Sequence, residues 1–508
     1  VLWVASIAMV VITVNMTFVS IGLPEIAKQL HSSNTGLEWI MDGYSLVFAC
    51  LLLVAGYLGD RFGAREVLVG GLAVFTVASI AGALATDTSQ LIAARCLMGA
   101  GAAGVMPMTL SMISHVYNEP DKMRKAIGAW AAIGSAAAVI APLVAGVLLA
   151  KFWWGSLFWV NVPLTAAALI AVLLITPHFP GSRSGRFDVL GSVLSVLFAG
   201  LLVAALIEGP QRGWGDALVV SGFILSALSL VIFIFWEKRH DEPLIEVRLF
   251  TIPRFAIGVA AVATQYLIGF GQGFGITQYI QLVLGNSPLR AGLLGIPGAL
   301  TIMIFAPLGA RFFTRVGARR AITLAMVVLT ASSVAMALLT VSAGYPMYFI
   351  STILMSVGIG LMAAGTTTMV MSSVKPEHAG MASGAQSTTR QLGGALGIAL
   401  VGSIVASTYS SHLSRSLQGR VNPHFLAQAK NSLAAALEIR DAPSKVYDLI
   451  TQASRSAFVD AIRISGWALA VISVGVGIAA WIVLSPRFEG AAIEAEVPDL
   501  SELHQHSD

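Results

Sequence analysis

Charge is what this sequence has least of. Only 11% of its 508 residues are Asp, Glu, Lys or Arg, against about 25% in an ordinary soluble domain. A soluble chain of this size needs a charged skin to stay dispersed, so that class is excluded. Cysteine is nearly absent too. Cys50 and Cys96 both lie in apolar stretches, which rules out a disulfide framework or a zinc site and leaves small helix-packing residues as the reading. There is no Gly-Lys dipeptide, and so no phosphate-cradling loop for ATP; no H-E-x-x-H and no G-x-S-x-G occur either. No cofactor or metal is expected, and His504-Gln505-His506 reads as a solvated tail. The formal charge of +4 is spread singly along the chain, with no basic stripe interleaved with aromatics, so nucleic acid is not the partner.

What is abundant is apolar length. Apolar residues make up 56% of the chain and fall in runs of roughly 20, long enough to cross a hydrocarbon core. Fourteen spans are predicted, near 1–23, 39–59, 66–86, 89–112, 125–148, 156–176, 187–208, 216–236, 254–284, 289–312, 319–340, 345–371, 381–408 and 459–484. The expected fold is an all-α polytopic membrane protein. It comprises an N-terminal six-helix half (1–178), two inserted helices with an inner loop (179–253), a C-terminal six-helix half (254–485) and an acidic cytoplasmic tail (486–508). The segment 411–458 is expected as an outer loop, with an amphipathic stretch at 425–437 lying on the membrane surface. The chain starts at Val1 within an apolar run, and the expectation is a trimmed cytoplasmic leader rather than a cleaved signal peptide. With both termini placed in the cytoplasm, seventeen Lys and Arg fall in inside loops and four in short outside loops, the asymmetry that orients a membrane protein.

The chain also repeats itself. Asp60-Arg61-Phe62-Gly63-Ala64-Arg65 recurs as Thr314-Arg315-Val316-Gly317-Ala318-Arg319, and Glu119-Pro120-Asp121 as Lys375-Pro376-Glu377. Parallel halves about a midplane cavity are the architecture of rocking secondary transporters. The dinucleotide-like Gly99-Ala100-Gly101-Ala102-Ala103-Gly104 lies within an apolar helix, where its glycines serve close packing. The run Gly269–Gly275 is open between a hinge and a close contact.

Gly56-Tyr57-Leu58-Gly59-Asp60-Arg61-Phe62-Gly63-Ala64-Arg65 resembles the loop signature of the major facilitator superfamily. Leu91 to Ala103, with Arg95, resembles its fourth-helix signature. Trp154–Pro163, Gln281–Pro288 and Arg390–Gly397 resemble the fourteen-helix drug:proton antiporter branch of QacA/SmvA-like multidrug exporters. The resemblance implies a conformational latch at Gly56, Asp60, Arg61, Gly63 and Arg65, where carboxylate and guanidinium form charge-assisted bonds. It also implies a fifth-helix antiporter signature at Pro142 and Gly146. Three positions depart from the branch. Asn15 stands where its first helix has Asp, Ala141-Pro142-Leu143-Val144-Ala145-Gly146 replaces Gly-Pro-x-x-Gly-Gly, and Gln386 and Ser387 stand where some cation exporters have acids.

A carboxylate in mid-bilayer costs about 2.5–3.5 kcal/mol on the lenient scale. Of 26 acids only Asp42 lies well within a predicted span. Asp42 about 5 Å, Arg95 about 9 Å and Asn15 roughly 12 Å from the outer end share the outer part of the first half. The expected proton-coupling set is therefore Asp42, Arg95 and Asn15, with burial and the Arg95 charge pulling Asp42 in opposite directions; the bland alternative is a permanent Asp42–Arg95 ion pair. Tyr44, Gln265, Gln272, Gln278, Gln386 and Arg390 are the expected cavity-lining polar set. The functional expectation is a proton-coupled exporter of amphipathic or lipophilic small molecules, monomeric, in a bacterial plasma membrane. Its partners are the lipid bilayer, the substrate and protons, and it is not an enzyme. The alternative is a lipid or lipid-like metabolite exporter with weak or no proton coupling.

Overall fold

In the computed structural model, residues 2–116, 120–176, 188–240, 247–342, 344–371, 373, 379–439 and 441–484 are described. Their regular structure is entirely helical: α1 (Leu2–Gln29), α2 (Asn34–Phe62), α3 (Ala64–Ala83), α4 (Thr88–Val116), α5 (Pro120–Lys151), α6 (Ser156–Trp159), α7 (Asn161–Ile175), α8 (Val189–Arg212), α9 (Ala217–Glu237), α10 (Pro253–Gln278), α11 (Pro288–Val316), α12 (Ala318–Ala337), α13 (Gly344–Met371), α14 (Ala379–Leu417), α15 (Pro423–Asn431), α16 (Leu433–Leu437) and α17 (Ser444–Val483). Helices dominate because a chain in hydrocarbon must satisfy every backbone N–H and C=O internally. Among the described residues twelve helical segments are long and apolar enough to cross a membrane.

The repeat at Gly63 and Gly317 is carried by backbone geometry, while Glu119 and Lys375-Pro376-Glu377 of the second pair lie outside the described residues. α2 and α11 each span 29 residues, and α3 and α12 each span 20. Each pair breaks at a glycine with positive φ, Gly63 at 103° and Gly317 at 81°, whose N–H bonds Gly59 O and Phe313 O respectively. A side chain is strained in that conformation, so glycine sits at both corners. Ser33 and Ser287 cap the starts of α2 and α11 in the same way, accepting from Gly36 N and Arg290 N.

Helix approach is set by missing side chains. A Cβ on Gly101 of α4 would lie 2.7 Å from Phe75 N of α3, and one on Gly99 would collide with Tyr44 O of α2, so the dinucleotide-like run is a packing face. In α10 the Gly269–Gly275 segment stays helical. Gly271 abuts Gly397 O of α14, and Gly397 in turn abuts Leu267 O, so the run makes a close helix contact.

Two expected boundaries are corrected. The predicted spans 381–408 and 459–484 extend into α14 and α17, which shortens the 411–458 outer loop to a short link carrying α15 and α16. The 425–437 stretch is packed, not laid on a membrane surface. Ala429, Leu433, Ala434 and Ala436 are buried, α16 touches α1 and α17, and the Tyr409 and Tyr447 hydroxyls donate to Ala429 O and Leu437 O at 2.8 and 3.1 Å. Hydropathy missed this because the last turns of α14 and the first turns of α17 are polar on one face only, and their apolar stripe is satisfied by α15 and α16. The acidic tail (486–508) lies outside the described residues.

Candidate functional site

The α1–α2 end of the bundle gathers the polar residues of interest. Arg95 of α4 is fully buried and holds three partners. Its Nε donates to Ile40 O at 2.8 Å, an Nη donates to Asn15 Oδ1, and its guanidinium stacks 4.4 Å from the centre of the Tyr44 ring. Asn15, the departure from the branch's acid, is thus the neutral acceptor for this cation, joining α1 to α4. The donor–acceptor pair is charge-assisted, and Tyr44 supplies a cation–π face.

Asp42 does not join them. It is fully buried, and neither of its carboxylate oxygens has a hydrogen-bond partner. Neither the expected three-residue constellation nor the Asp42–Arg95 ion pair forms. The reason is helical geometry. Ile40 and Tyr44 lie four residues apart on the face of α2 that meets Arg95, and Asp42 between them is turned by about 200°. It belongs instead to the stripe Glu38, Asp42, Leu46 and Cys50. Leu46 and Cys50 pack with Ala199, Val203 and Ile207 of α8 and with Ala395 and Ala399 of α14.

Glu38 is the residue that sequence reasoning missed. It is also fully buried, with both carboxylate oxygens unpartnered. A Cβ on Gly402 of α14 would lie 2.5 Å from its Cδ. Hydropathy placed Glu38 just outside span 2, whereas the helix starts at Asn34. The signal available was its spacing of four from Asp42, which puts two carboxylates on one helical face. Beside it, Trp39 Nε1 donates to Glu208 Oε1 of α8 at 3.0 Å, and Arg212 pairs with Glu208 at 3.0 Å.

Other contacts draw the helices together at this same end. Gln281 Nε2 donates to Ile21 O at 3.1 Å, bridging α1 and the π turn that follows α10. The fifth-helix signature sits at the α5–α11 crossing: a Cβ on Gly146 would lie 2.5 Å from Leu289 Cα, and Gly292 abuts Pro142 O.

The expected cavity set divides. Gln265 donates to Ile359 O at 3.2 Å and Gln278 to Phe274 O at 3.4 Å. Gln272 donates to Ser333 Oγ and accepts from Ser332 Oγ, both at 3.0 Å. Gln265 and Gln272 thus join α10 to α13 and α12, while Gln278 bonds a carbonyl of its own helix, as a buried amide takes the nearest acceptor. Tyr44 is fully buried beneath Arg95. Gln386 donates to Thr367 Oγ1 at 2.8 Å. Arg390, only partly buried, lies 5.1 Å from the centre of the Tyr266 ring, and Tyr266 stacks on Phe270 at 6.1 Å. An aromatic pair beside a guanidinium can hold an amphipathic molecule by its apolar body and its polar tip; Tyr266 and Phe270 were not anticipated from sequence.

Of the latch residues, the side chains of Gly56, Asp60 and Arg61 lie outside the described residues. Gly63 makes the corner given above. Arg65 donates from Nη2 to Leu173 O in the last turn of α7 at 3.0 Å and lies 3.8 Å from Glu66, a cation at a helix C-terminus where the macrodipole favours it. No cluster of His, Cys, Asp or Glu able to hold a metal occurs among the described residues.

The chain matches known proteins over most of its length. Residues 5–398 match the family model of the Major Facilitator Superfamily. Multidrug resistance protein Stp of Mycobacterium tuberculosis is 32% identical over 81% of this chain and 77% of its own. The methylenomycin A resistance protein of Bacillus subtilis is 32% identical over 86% and 93%, and methyl viologen resistance protein SmvA of Salmonella typhimurium is 29% identical over 91% and 94%. In fold alone, it is similar to a bacterial homologue of the human lysosomal transporter Spinster in its inward-facing, unoccupied conformation (TM-score 0.66, 16% identity, 96% and 98% covered). A POT-family peptide transporter is comparable at 0.61 and 14% identity, with 94% and 95% covered. The chain belongs to the Major Facilitator Superfamily and is a multi-pass membrane transporter, not an enzyme.

Proposed function

We propose that this protein is a proton-coupled exporter of amphipathic or lipophilic small molecules in a bacterial plasma membrane. The observation that carries the coupling is the fully buried Asp42 with no partner for either carboxylate oxygen. A charge without compensation there is costly, so such a group exchanges its proton when the surrounding helices part. The relatives' names, which speak of resistance to multiple drugs, methylenomycin A and methyl viologen, support drug efflux. No observation favours the lipid-exporting alternative.

In this reading α1–α7 and α10–α17 are two halves, and α8 and α9 are an insert, α8 packed on α2 and α14 and α9 on α8. α2 and α5, helical over 29 and 32 residues, complete fourteen spans, both termini are cytoplasmic, and the protein works as a monomer. The α1–α2 end is the outer one and is closed here, with Gln281, Gly146 and Gly402 at its three seams. Cargo enters from the cytoplasm against Tyr266, Phe270 and Arg390. A proton then replaces it from outside at Asp42, while Arg95, held by Asn15 and Ile40 O, keeps its charge throughout. In proteoliposomes with an imposed pH gradient, wild-type protein is expected to move a fluorescent amphiphile uphill. Asp42→Asn is expected to reduce uphill transport at least tenfold while preserving downhill flux. Undiminished uphill transport by that variant would rule out coupling at Asp42.

A further inference from the structure

A second carboxylate sits in the α2–α14 contact, one helical turn from Asp42 toward the start of α2. Glu38 is fully buried with two orphan oxygens. Its acyl end presses on α14 where residue 402 is glycine, and any side chain there would overlap Glu38 Cδ, Cγ and Oε1. α14 can therefore approach α2 at this level only because Gly402 leaves room for the acid. When α14 withdraws, the same carboxyl meets water.

The charged groups around Glu38 offer it no counter-ion. On its own helix the next acid is Asp42, one turn on. From α8 comes Glu208, already bonded by Trp39 and Arg212. From α4 comes Arg95, whose Nε and one Nη are taken by Ile40 O and Asn15 and whose other Nη has no hydrogen-bond partner; it lies on the Ile40–Tyr44 face of α2, turned away from Glu38, and bonds neither of its oxygens. α14 has no ionisable residue between Arg390 and Tyr409, and near the end of α1 Glu25 and Lys28 pair with each other. Two carboxylates on one buried face cannot both stay charged without a cation.

We infer that Glu38 is a proton-dependent lock on the α2–α14 seam, which closes over the neutral acid and stays parted while the acid is ionised. Opened to outer water, the carboxylate takes up one proton to become the carboxylic acid, the seam shuts over it, and reopening returns that proton to the same side. Glu38 thus gates closure from outside without itself carrying a proton across, in contrast to Asp42. Its place in the transport cycle rests on the proton-coupled reading; its effect on the seam does not.

The test is the separation of the outer ends of α2 and α14. Spin labels go on the full-length protein at the exposed His31 and Gln418, introduced as His31→Cys and Gln418→Cys with Cys50→Ala and Cys96→Ala. Distances are read by electron–electron resonance in lipid at acidic and alkaline pH. In protein retaining Glu38 the distribution is expected to shift to longer distances at alkaline pH. Glu38→Gln should hold the short population at both. Gly402→Ala, which forces a methyl against Glu38, should hold the long one at both, and adding Glu38→Ala should restore the short one. An alkaline shift in Glu38→Gln equal to that of the parent overturns the lock, as does a parent with no shift, and so does a Gly402→Ala defect that Glu38→Ala leaves unrelieved. Uphill transport by Asp42→Asn is scored separately, so a failure of coupling at Asp42 leaves the seam result standing and is told apart from it.

Discussion

Asn15 shows how one substitution reshapes a buried site. Where relatives in the resembling branch place an acid, this chain puts an amide that still accepts from Arg95 but adds no compensating charge. The guanidinium is neutralised by dipoles and a ring instead: Ile40 O, Asn15 Oδ1 and Tyr44. Removing one such partner from a buried cation typically costs several kcal/mol. Asn15→Leu, close in volume and unable to accept, is expected to destabilise the protein by about 3 kcal/mol, read as a lower melting temperature in detergent, while Asn15→Asp keeps the contact and should melt within a few degrees of wild type. Asp42 was legible as a rare intramembrane acid. That it turns away from Arg95 was not, because which face of α2 meets Arg95 depends on helix rotation, and that is settled by packing.

At the scale of elements, the two corners at Gly63 and Gly317 are the clearest case of sequence reporting structure. Their flanking residues repeat, and so do their backbone conformation and the cap bonds to Gly59 O and Phe313 O. Either substitution, Gly63→Ala or Gly317→Ala, forces a side chain into a region that costs about 1–3 kcal/mol. Each single variant is expected to lower the thermal midpoint, and the double variant to lower it by nearly the sum, since the corners are independent. By contrast, α14 and α17 run past their hydropathy limits by a turn or more. Their polar outer ends are held by α15 and α16, elements whose own apolar residues are too few and too far apart to announce a packed cap. Gln265 and Gln272 illustrate the same limit: polar residues in an apolar helix suggest a cavity, but here they bond to neighbouring helices.

Across the whole molecule, closure of one end is distributed over several glycines and one amide. The Gly146–Leu289 contact offers a direct check. A Cβ on Gly146 would lie 2.5 Å from Leu289 Cα and 3.2 Å from its Cβ, so any side chain there holds α5 and α11 apart. Gly146→Val is expected to keep this end from closing and to cut transport to a few per cent. Undiminished transport by that variant would exclude a need for close approach between α5 and α11.

From the sequence alone came the membrane class, the helical fold, the internal repeat and the family resemblance, because hydrophobic length, glycine corners and short signatures are local properties written in neighbouring residues. Tertiary structure alone decided that Asp42 turns away from Arg95, that Glu38 is buried against Gly402, and that Arg390 lies over Tyr266, on which Phe270 stacks. Those relations join residues far apart in the chain, and they are set by how each helix rotates to bury its small residues against the next.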